Sequence, residues 1–274
     1  MSRIEGVFAE LRARGRKAVI PYVVAGDPSP EGTVPLLHQL VKSGADAIEL
    51  GVPFSDPMAE GPVIQKGHER ALAKGMTLRK VLSIAAEFRQ QDAKTPILMM
   101  GYANPIERFG YKPFASACAE AGVDGLITVD LPPEEVDAID SALKAVGLDN
   151  IFLVSPTTPE PRIQTIVERA RGFIYCVAVK GVTGSGQLDV AAVSESVARI
   201  RGKTGLPIAV GFGIKDAHGA RAVASAADAV VVGSALIEKM EQEAAAGETS
   251  QIQIHGAAVK LLQSIRAGVD SSPS

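Results

Sequence analysis

The chain has 274 residues, a formal net charge of −3 and 46% hydrophobic residues. A chain of this length forms one or two domains, and its apolar content suffices for a packed core, which excludes an intrinsically disordered protein. The near-neutral charge gives no basic surface for nucleic acid. No apolar run approaches the roughly 18 residues of a membrane span. The charged N-terminus does not resemble a signal peptide, and the two cysteines fit a reducing cytoplasm.

Short apolar runs rich in valine, isoleucine and alanine recur along the whole chain. Runs that are apolar at nearly every position are typical of parallel strands buried on both faces. They predict strands at 18–25, 47–52, 96–102, 125–131, 150–155, 173–179, 207–212 and 229–233. Helical spacing of apolar residues, or proline at a helix start, predicts helices at 78–88, 114–121, 132–146, 191–200, 217–226 and 255–265.

This alternation predicts a closed (β/α)8 TIM barrel with an extra N-terminal helix, a fold that needs about 250 residues as one domain. An open doubly wound sheet is the alternative. Similar junctions ending at Asp46, Asp124 and Asp228, and the lack of any linker, favour the barrel. We therefore expect residues 1–274 to form a single domain, with a disordered polar tail from about residue 268.

The second predicted strand carries a carboxyl group where a barrel of this type has its active site, near the C-terminal strand ends. Side chains alternate along a strand, so Ile48 and Leu50 share one face and Glu49 takes the other, between small residues. The bulky pair suits the helix-facing side, which points Glu49 into the barrel interior. Burial raises the pKa of a carboxyl group and suits it to proton exchange near neutral pH. A structural glutamate in an internal hydrogen bond is the alternative.

Other polar and aromatic residues gather at the same predicted end of the barrel. Tyr22, Tyr102 and Tyr175 lie on predicted strands and indicate a flat apolar pocket with hydroxyl groups, although each could be ordinary packing. The loop after the second strand carries Asp56 and Glu60, which are functional candidates because acidic loops at this end often act on ligands. Solvated loop acids are the alternative.

Glycines follow the last two predicted strands, at Gly211-Phe-Gly213 and at Gly233-Ser234, where a helix begins. These loops form the recurring phosphate site of such barrels, because bare backbone N–H groups and a helix N-terminus bind anions. The glycine-rich stretch 181–186 is predicted to be a lid. Neither stretch matches a P-loop or a dinucleotide fingerprint.

Histidine is missing from the predicted strand ends and lysine from within the predicted strands, where either residue would indicate other chemistry. The four histidines, His38, His68, His218 and His255, fall on predicted helices or their edges, so no metal site is expected. Lys180 is the one candidate for a Schiff-base amine and is otherwise a surface lysine on the lid.

Seven stretches of the sequence match one family in the right order: 47–57 (AIELGVPFSDP), 61–65 (GPVIQ), 100–105 (MGYANP), 130–133 (DLPP), 181–184 (GVTG), 211–214 (GFGI) and 232–235 (VGSA). The first of them is highly specific. On these motifs the chain resembles the tryptophan synthase α chain family over nearly its full length.

The resemblance implies retro-aldol cleavage of indole-3-glycerol phosphate to indole and glyceraldehyde 3-phosphate. It implies that Glu49 is the catalytic acid and base, and that Glu60 is a second catalytic carboxylate that binds the indole N–H. The implied substrate pocket comprises Tyr22, Ile64, Met100, Tyr102, Ile127, Tyr175, Thr183 and Phe212. The implied phosphate-binding residues are Gly184, Gly213, Gly233 and Ser234.

The resemblance also implies a partner, a β chain that carries pyridoxal phosphate in an α2β2 heterotetramer, with no cofactor in this chain. The expected partner contacts are Asp56, Pro57, Asn104, Pro105, Asp130 and Pro132.

Two positions depart from the family's usual pattern. Glu60 stands where Asp is more common and would move the charge by about 1.5 Å unless the loop adjusts. Tyr22 stands where Phe is common and adds a hydroxyl group to the pocket wall.

The residues alone leave two other functions open. One is a Schiff-base aldolase that uses Lys180, and the other is a phosphate-binding subunit that serves a partner without catalysis.

Overall fold

The computed structural model describes residues 2–178, 189–211, 213–247 and 250–272. Its strands are β1 (Ala18–Val24), β2 (Ile48–Gly51), β3 (Ile97–Gly101), β4 (Gly125–Thr128), β5 (Asp149–Val154), β6 (Ile174–Val177), β7 (Ile208–Gly211) and β8 (Ala229–Val232). All neighbouring strands are parallel and follow one another in sequence order, and β1 pairs with β8. The predicted TIM barrel is confirmed, and the open-sheet alternative is wrong.

The described helices surround this barrel and close one of its ends. They are α1 (Arg3–Ala13), α2 (Pro30–Lys42), α3 (Pro62–Ala73), α4 (Leu78–Arg89), α5 (Ala103–Phe109), α6 (Tyr111–Glu120), α7 (Asp137–Ala145), α8 (Glu160–Arg169), α9 (Val190–Arg201), α10 (Ala217–Ala224), α11 (Ser234–Ala245) and α12 (Gln251–Asp270). The helix bounds predicted from the sequence do not include α2, α3, α5, α8 or α11, although His38 and His68 were expected on helices and a helix start was expected at Ser234. No helix within the described ranges combines the length and the apolar character that a bilayer crossing requires.

The expected N-terminal helix, α1, covers the N-terminal ends of the strands. Its apolar face buries Ile4, Phe8 and Leu11, and the Phe8 ring lies 5.7 Å from the ring of Phe173. The Arg3 guanidinium binds the carboxylate of Asp124 at 2.7 Å. This end of the barrel is therefore closed, and only the opposite end can receive a substrate.

The three similar junctions seen in the sequence share one structural role. The carboxylates of Asp46, Asp124 and Asp228 accept hydrogen bonds from the backbone N–H groups of Val19, Ile97 and Ile208, at 2.8 to 2.9 Å. Each carboxylate also binds an arginine, respectively Arg266, Arg89 and Arg201. The repeated aspartate thus anchors the start of a neighbouring strand.

Hydrogen bonds explain two of the predicted boundaries that differ from the structure. Strand β4 ends at Thr128 instead of residue 131, because the chain turns there and Asp130 accepts a hydrogen bond from the Ala103 N–H at 2.7 Å. The helix predicted from residue 132 begins at Asp137, because the Pro132 carbonyl closes a turn with the N–H of Glu135.

The last helix, α12, extends to Asp270 and so includes residues 268–270, which the sequence analysis assigned to a disordered tail. Val269 is 1% exposed. A Cβ atom on Gly268 would lie 2.3 Å from the Ala217 carbonyl oxygen, so only glycine lets α12 approach α10 this closely. Burial, which the polar composition of the tail did not reveal, keeps this segment helical.

Candidate active site

Glu49 lies in the barrel interior. Its Cα atom pairs with Tyr22 on β1 and Leu98 on β3, and its side chain is fully buried. Among the charges that act on Tyr175, which lies on β6 across the barrel, the Glu49 carboxyl is the strongest. The Glu49 carboxyl group on β2 can act on the Tyr175 hydroxyl group on β6 only if both side chains point into the barrel interior.

The Glu49 carboxyl group is unpaired and hard to ionise. Neither of its oxygens has a hydrogen-bond partner within the described residues. Burial, and secondly the charge of Glu60, raises its pKa well above the usual value. The alternative, a structural glutamate in an internal hydrogen bond, is not supported, because no such partner is present in the described part of the chain.

Two tyrosines line the interior, Tyr22 beside Glu49 and Tyr175 across the barrel from it, and each lies over a glycine of the following strand. A Cβ atom on Gly51 would lie 2.4 Å from the Tyr22 hydroxyl oxygen, and one on Gly211 would lie 2.0 Å from that of Tyr175. Glycine at these two positions therefore makes room for the hydroxyl groups. Burial raises the pKa of both tyrosines well above the usual value, so both hydroxyl groups stay protonated.

The remaining described pocket residues are apolar or lie at the mouth. Met100 is paired with Gly51, and Ile127 is paired with Met100, in the inward-facing row of β2, β3 and β4. Ile64 lies on α3 and is 9% exposed. Tyr102 directly follows β3, and its ring stacks on the ring of Phe54 with centroids 5.2 Å apart. Flat apolar walls of this kind suit an aromatic substrate.

The loop between β2 and α3, residues 52–61, is held against the barrel at two points. The Ala59 N–H donates to the Tyr102 hydroxyl oxygen at 3.1 Å, and the Phe54 N–H donates to Nδ1 of His68 at 3.1 Å. Glu60, near the end of this loop, is 8% exposed. Burial raises its pKa to about 7. The loop therefore brings a second buried carboxyl group to the interior.

Sequence reasoning missed His68 as a site residue. It lies on α3, as predicted for a helical histidine, but its ring reaches the barrel wall, where Nε2 lies 3.2 Å from the Tyr22 hydroxyl oxygen. Burial lowers its pKa to about 4. The signal was present in the spacing of Ile64, His68 and Ala71, which share the buried face of α3.

The candidate phosphate site lies where β7 and β8 leave the barrel. Ala209 on β7 is paired with Ala229 on β8. Gly213 comes four residues after Ala209 and Gly233 four residues after Ala229, so the two glycines stand at equivalent positions beyond the ends of these strands. Gly213 has a φ of 79°, which favours glycine. Ser234 begins α11, whose first turn contains no acidic residue and whose N-terminus has no side-chain cap. Its free N–H groups can bind an anion.

Several predicted residues lie outside the described part of the chain. These are Thr183, Gly184 and Phe212 of the expected pocket and phosphate site, together with Lys180. Within the described ranges, no group of three or more His, Cys, Asp or Glu side chains could hold a metal ion.

The six predicted partner contacts lie on the loops after β2, β3 and β4. Asp56, Asn104 and Asp130 are exposed, and the prolines Pro57, Pro105 and Pro132 are half-buried. Hydrogen bonds join these loops, from Ala59 to Tyr102 and from Ala103 to Asp130. They form one continuous surface at the mouth of the barrel, and Met58 is 79% exposed on it.

Comparisons with known proteins identify the family of this chain. The family model described as "Tryptophan synthase alpha chain" matches residues 8–266. The chain is 55% identical over 270 residues to the tryptophan synthase alpha chain of Dechloromonas aromatica, covering 98% of each chain. It is 58% identical over 250 residues to that of Thioalkalivibrio sulfidiphilus, covering 90% of this chain and 94% of the relative.

Solved structures show the same relationship. Tryptophan synthase subunit alpha from Legionella pneumophila superposes with a TM-score of 0.91 at 44% identity, covering 98% of this chain and 99% of that chain. A chain of tryptophan synthase from M. tuberculosis superposes with a TM-score of 0.86 at 34% identity, covering 98% of this chain and 100% of that one. The chain therefore belongs to the tryptophan synthase alpha chain family, and it is a carbon–carbon lyase of tryptophan biosynthesis that cleaves indole-3-glycerol phosphate to indole and glyceraldehyde 3-phosphate.

Proposed function

We propose that Glu49 is the acid and base of this cleavage and that Glu60 is the second catalytic carboxylate. The observation that carries the proposal is a pair of buried carboxyl groups whose environments differ. The Glu49 carboxyl group is fully buried, has no hydrogen-bond partner within the described residues, and has a pKa well above the usual value. Burial raises the pKa of Glu60 to about 7. Two carboxyl groups held at different pKa values can act as proton donor and as anion in the same step.

In the first step, protonated Glu49 gives its proton to C3 of the indole ring, and the ring becomes an indolenine cation. Ionised Glu60 accepts a hydrogen bond from the ring N–H and stabilises the positive charge, which a buried carboxylate does more strongly than one in water. Glu49 is left as a buried carboxylate with no partner of its own, and it is therefore a strong base.

In the second step, the Glu49 carboxylate takes the proton from the hydroxyl group on the side-chain carbon bonded to C3. The carbon–carbon bond breaks, its electron pair returns to the ring, and the hydroxyl-bearing carbon becomes the aldehyde of glyceraldehyde 3-phosphate. Glu49 regains its proton, so one carboxyl group serves both steps. The indolenine accepts the electrons, and this route uses no lysine.

The remaining residues support binding in this proposal. Tyr22, Tyr102, Tyr175, Ile64, Met100 and Ile127 would enclose the indole ring, and Thr183 and Phe212 are proposed to complete the pocket. Gly213, Gly233 and Ser234, with Gly184, would bind the phosphate at the N-terminus of α11, whose dipole favours an anion.

Cleavage in deuterium oxide tests the first step. Glu49 exchanges its proton with solvent between turnovers, so we expect each indole released to carry one deuterium at C3, as read by mass spectrometry and proton NMR. Indole incubated in the same buffer without the chain corrects for exchange in solution. Indole formed with protium at C3 would contradict proton delivery from an exchangeable acid.

We further propose that a β chain carrying pyridoxal phosphate binds the loops after β2, β3 and β4 and receives the indole, in an α2β2 assembly. The exposed polar groups and prolines of these loops, with the exposed Met58, support this placement. The two free, buried cysteines, Cys118 and Cys176, fit a reducing compartment, and we propose the cytoplasm.

We expect Met58→Asp to weaken binding of the β chain about tenfold, because docking on this surface would bury the introduced carboxylate in place of an apolar side chain. Ile252→Asp is the matched control, since Ile252 is 76% exposed on α12. Titration calorimetry of both variants with the β chain provides the measurement. Equal affinities for the two variants would contradict the proposed surface.

A further inference from the structure

Arg70 joins three separate parts of the barrel. It lies on α3, and each nitrogen of its guanidinium group donates a hydrogen bond. Nε and Nη2 bind the two carboxylate oxygens of Asp27 at 2.7 and 2.9 Å, and Nη1 binds the Glu241 carboxylate at 3.0 Å. Asp27 follows the C-terminal end of β1, and Glu241 lies on α11. One side chain therefore links β1, α3 and α11.

The bond to Asp27 fastens α3 to the end of β1. Asp27 is 1% exposed, and its two oxygens meet the planar guanidinium group in a bidentate arrangement. A Cβ atom on Gly67 would lie 3.1 Å from Oδ2 of Asp27, so glycine lets α3 come this close to the carboxylate. The Asp27 N–H donates to the Val24 carbonyl oxygen at 3.1 Å and closes the turn after β1. This arm of the link thus has a fixed base.

The bond to Glu241 reaches the helix that forms the candidate phosphate site. Glu241 comes two helical turns after Ser234, about 10 Å along the axis of α11. At the start of this helix, a Cβ atom on Gly233 would lie 3.1 Å from Cβ and Cδ1 of Tyr22, so this end packs against β1. The buried apolar face keeps α11 on the barrel. The contacts with Tyr22 and Arg70 then fix two points along its axis.

The helix that carries Arg70 also bounds the other end of the pocket. It follows the loop 52–61, which carries Glu60, and Nε2 of His68 on this helix lies 3.2 Å from the Tyr22 hydroxyl oxygen. The substrate has its ring at one end and its phosphate at the other, so it needs this loop and α11 at a matching separation. Arg70 links α3 directly to α11.

We propose that Arg70 is a positioning residue for substrate binding, which through Glu241 holds the N-terminus of α11 where it binds the substrate phosphate. When the link is lost, binding of the phosphate must also order α11, and this weakens the affinity. The inference rests on the proposed function for the place of the phosphate, but not for the roles of Glu49 and Glu60.

Glu241→Gln tests the link and leaves the bonds between Arg70 and Asp27 in place. We expect KM for indole-3-glycerol phosphate to rise about three- to fivefold with kcat nearly unchanged, because a loss of uniform binding affects KM alone. The sign separates position from charge, since removal of a negative charge near a bound phosphate would by itself lower KM. Indole release by the full chain provides the measurement. A KM equal to or below that of the wild type would overturn the proposal.

Competitive inhibition by inorganic phosphate reports on the anion site without the indole ring. Its inhibition constant should rise in Glu241→Gln by the same factor as KM. Asp137→Asn is the matched control, because it removes the ion pair with Arg169 that joins α7 to α8. It should leave both constants unchanged, even if it lowers the unfolding temperature as much as Glu241→Gln does. Equal changes in the two variants would mean a general loosening of the fold and would also overturn the proposal.

Arg70→Lys tests the shape of the guanidinium group at constant charge. Lysine lacks the planar fork that binds Asp27 and Glu241 together, so KM should rise at least as much as in Glu241→Gln. The double variant should raise KM no further than Arg70→Lys, because both changes break the same link. A larger KM in the double variant would show that the two residues act separately, against the proposal. If Arg70→Lys does not fold, Glu241→Gln still decides the question.

Ser234→Asp tests the phosphate site itself, independently of Arg70. If Ser234→Asp raises KM and Glu241→Gln does not, the proposed phosphate site stands and the role of Arg70 fails. If neither variant changes KM, the phosphate binds elsewhere, and the proposed phosphate site fails together with the role of Arg70.

Discussion

We expect Glu49→Gln to lower the rate of indole formation by about 10³-fold or more, because a positioned general acid and base contributes about 10²–10⁴-fold and this residue would serve both steps. Glutamine has the same shape but neither gives nor takes the proton. The loss should appear in kcat, with little change in KM, because the phosphate and ring contacts remain.

The same substitution should leave the barrel folded and should stabilise it at higher pH. Burial raises the pKa of Glu49 above the value of 4.5 that it has in an unfolded chain, so the folded protein holds the proton more tightly. Folding stability is therefore lost as pH rises from about 4.5 towards the folded pKa, because the unfolded chain can ionise freely. Glutamine does not ionise and avoids this loss.

Urea unfolding at about pH 5 and about pH 8 measures this effect. The unfolding free energy of Glu49→Gln should exceed that of the wild type by a larger amount at the higher pH. Glu120→Gln, at the exposed end of α6, is the control and should change neither turnover nor stability. A Glu49→Gln variant that turns over normally would remove Glu49 from the mechanism.

The second large effect is expected from Ser234→Asp at the start of α11. A carboxylate there would face the substrate phosphate, and like charges in close contact cost several kcal/mol, so we expect KM to rise about 100-fold. The protein itself should become more stable by about 0.3–1 kcal/mol, because an acid in the first turn interacts favourably with the helix dipole. Activity and stability should thus move in opposite directions.

Steady-state kinetics and thermal unfolding of Ser234→Asp check the two parts of this prediction. Ile252→Asp is the control, because it also puts an acid in the first turn of a helix, α12. It should raise stability slightly and leave KM unchanged. If Ser234→Asp binds the substrate as well as the wild type, the phosphate lies elsewhere.

Local patterns in the sequence sufficed for the barrel and for the orientation of its central acid. Strand alternation alone separated Glu49 from Ile48 and Leu50, and the glycines after β7 and β8 indicated the candidate phosphate site. The repeated aspartates that favoured a barrel do anchor its strands, through the N–H groups of Val19, Ile97 and Ile208. These features are local because each depends on neighbours along one strand or one junction.

Features that depend on long-range contacts did not emerge from the sequence. The sequence indicated only that His68 lies on a helix. The packing of α3 against β1 brings Nε2 of His68 to 3.2 Å from the Tyr22 hydroxyl oxygen. The composition of residues 268–270 predicted a polar tail, whereas Gly268 in this segment packs against α10. The helix expected from Pro132 starts five residues later because a turn satisfies the Pro132 carbonyl group first.

We expect the Glu49 carboxyl group to hold a proton inside the barrel at a pH where an ordinary glutamate has lost it. Infrared difference spectroscopy of the wild-type chain against Glu49→Gln, at about pH 6, tests this most directly. The wild type should show the carbonyl band of a protonated, unpaired carboxylic acid, and the variant should lack it. A difference spectrum that contains only carboxylate bands would contradict it.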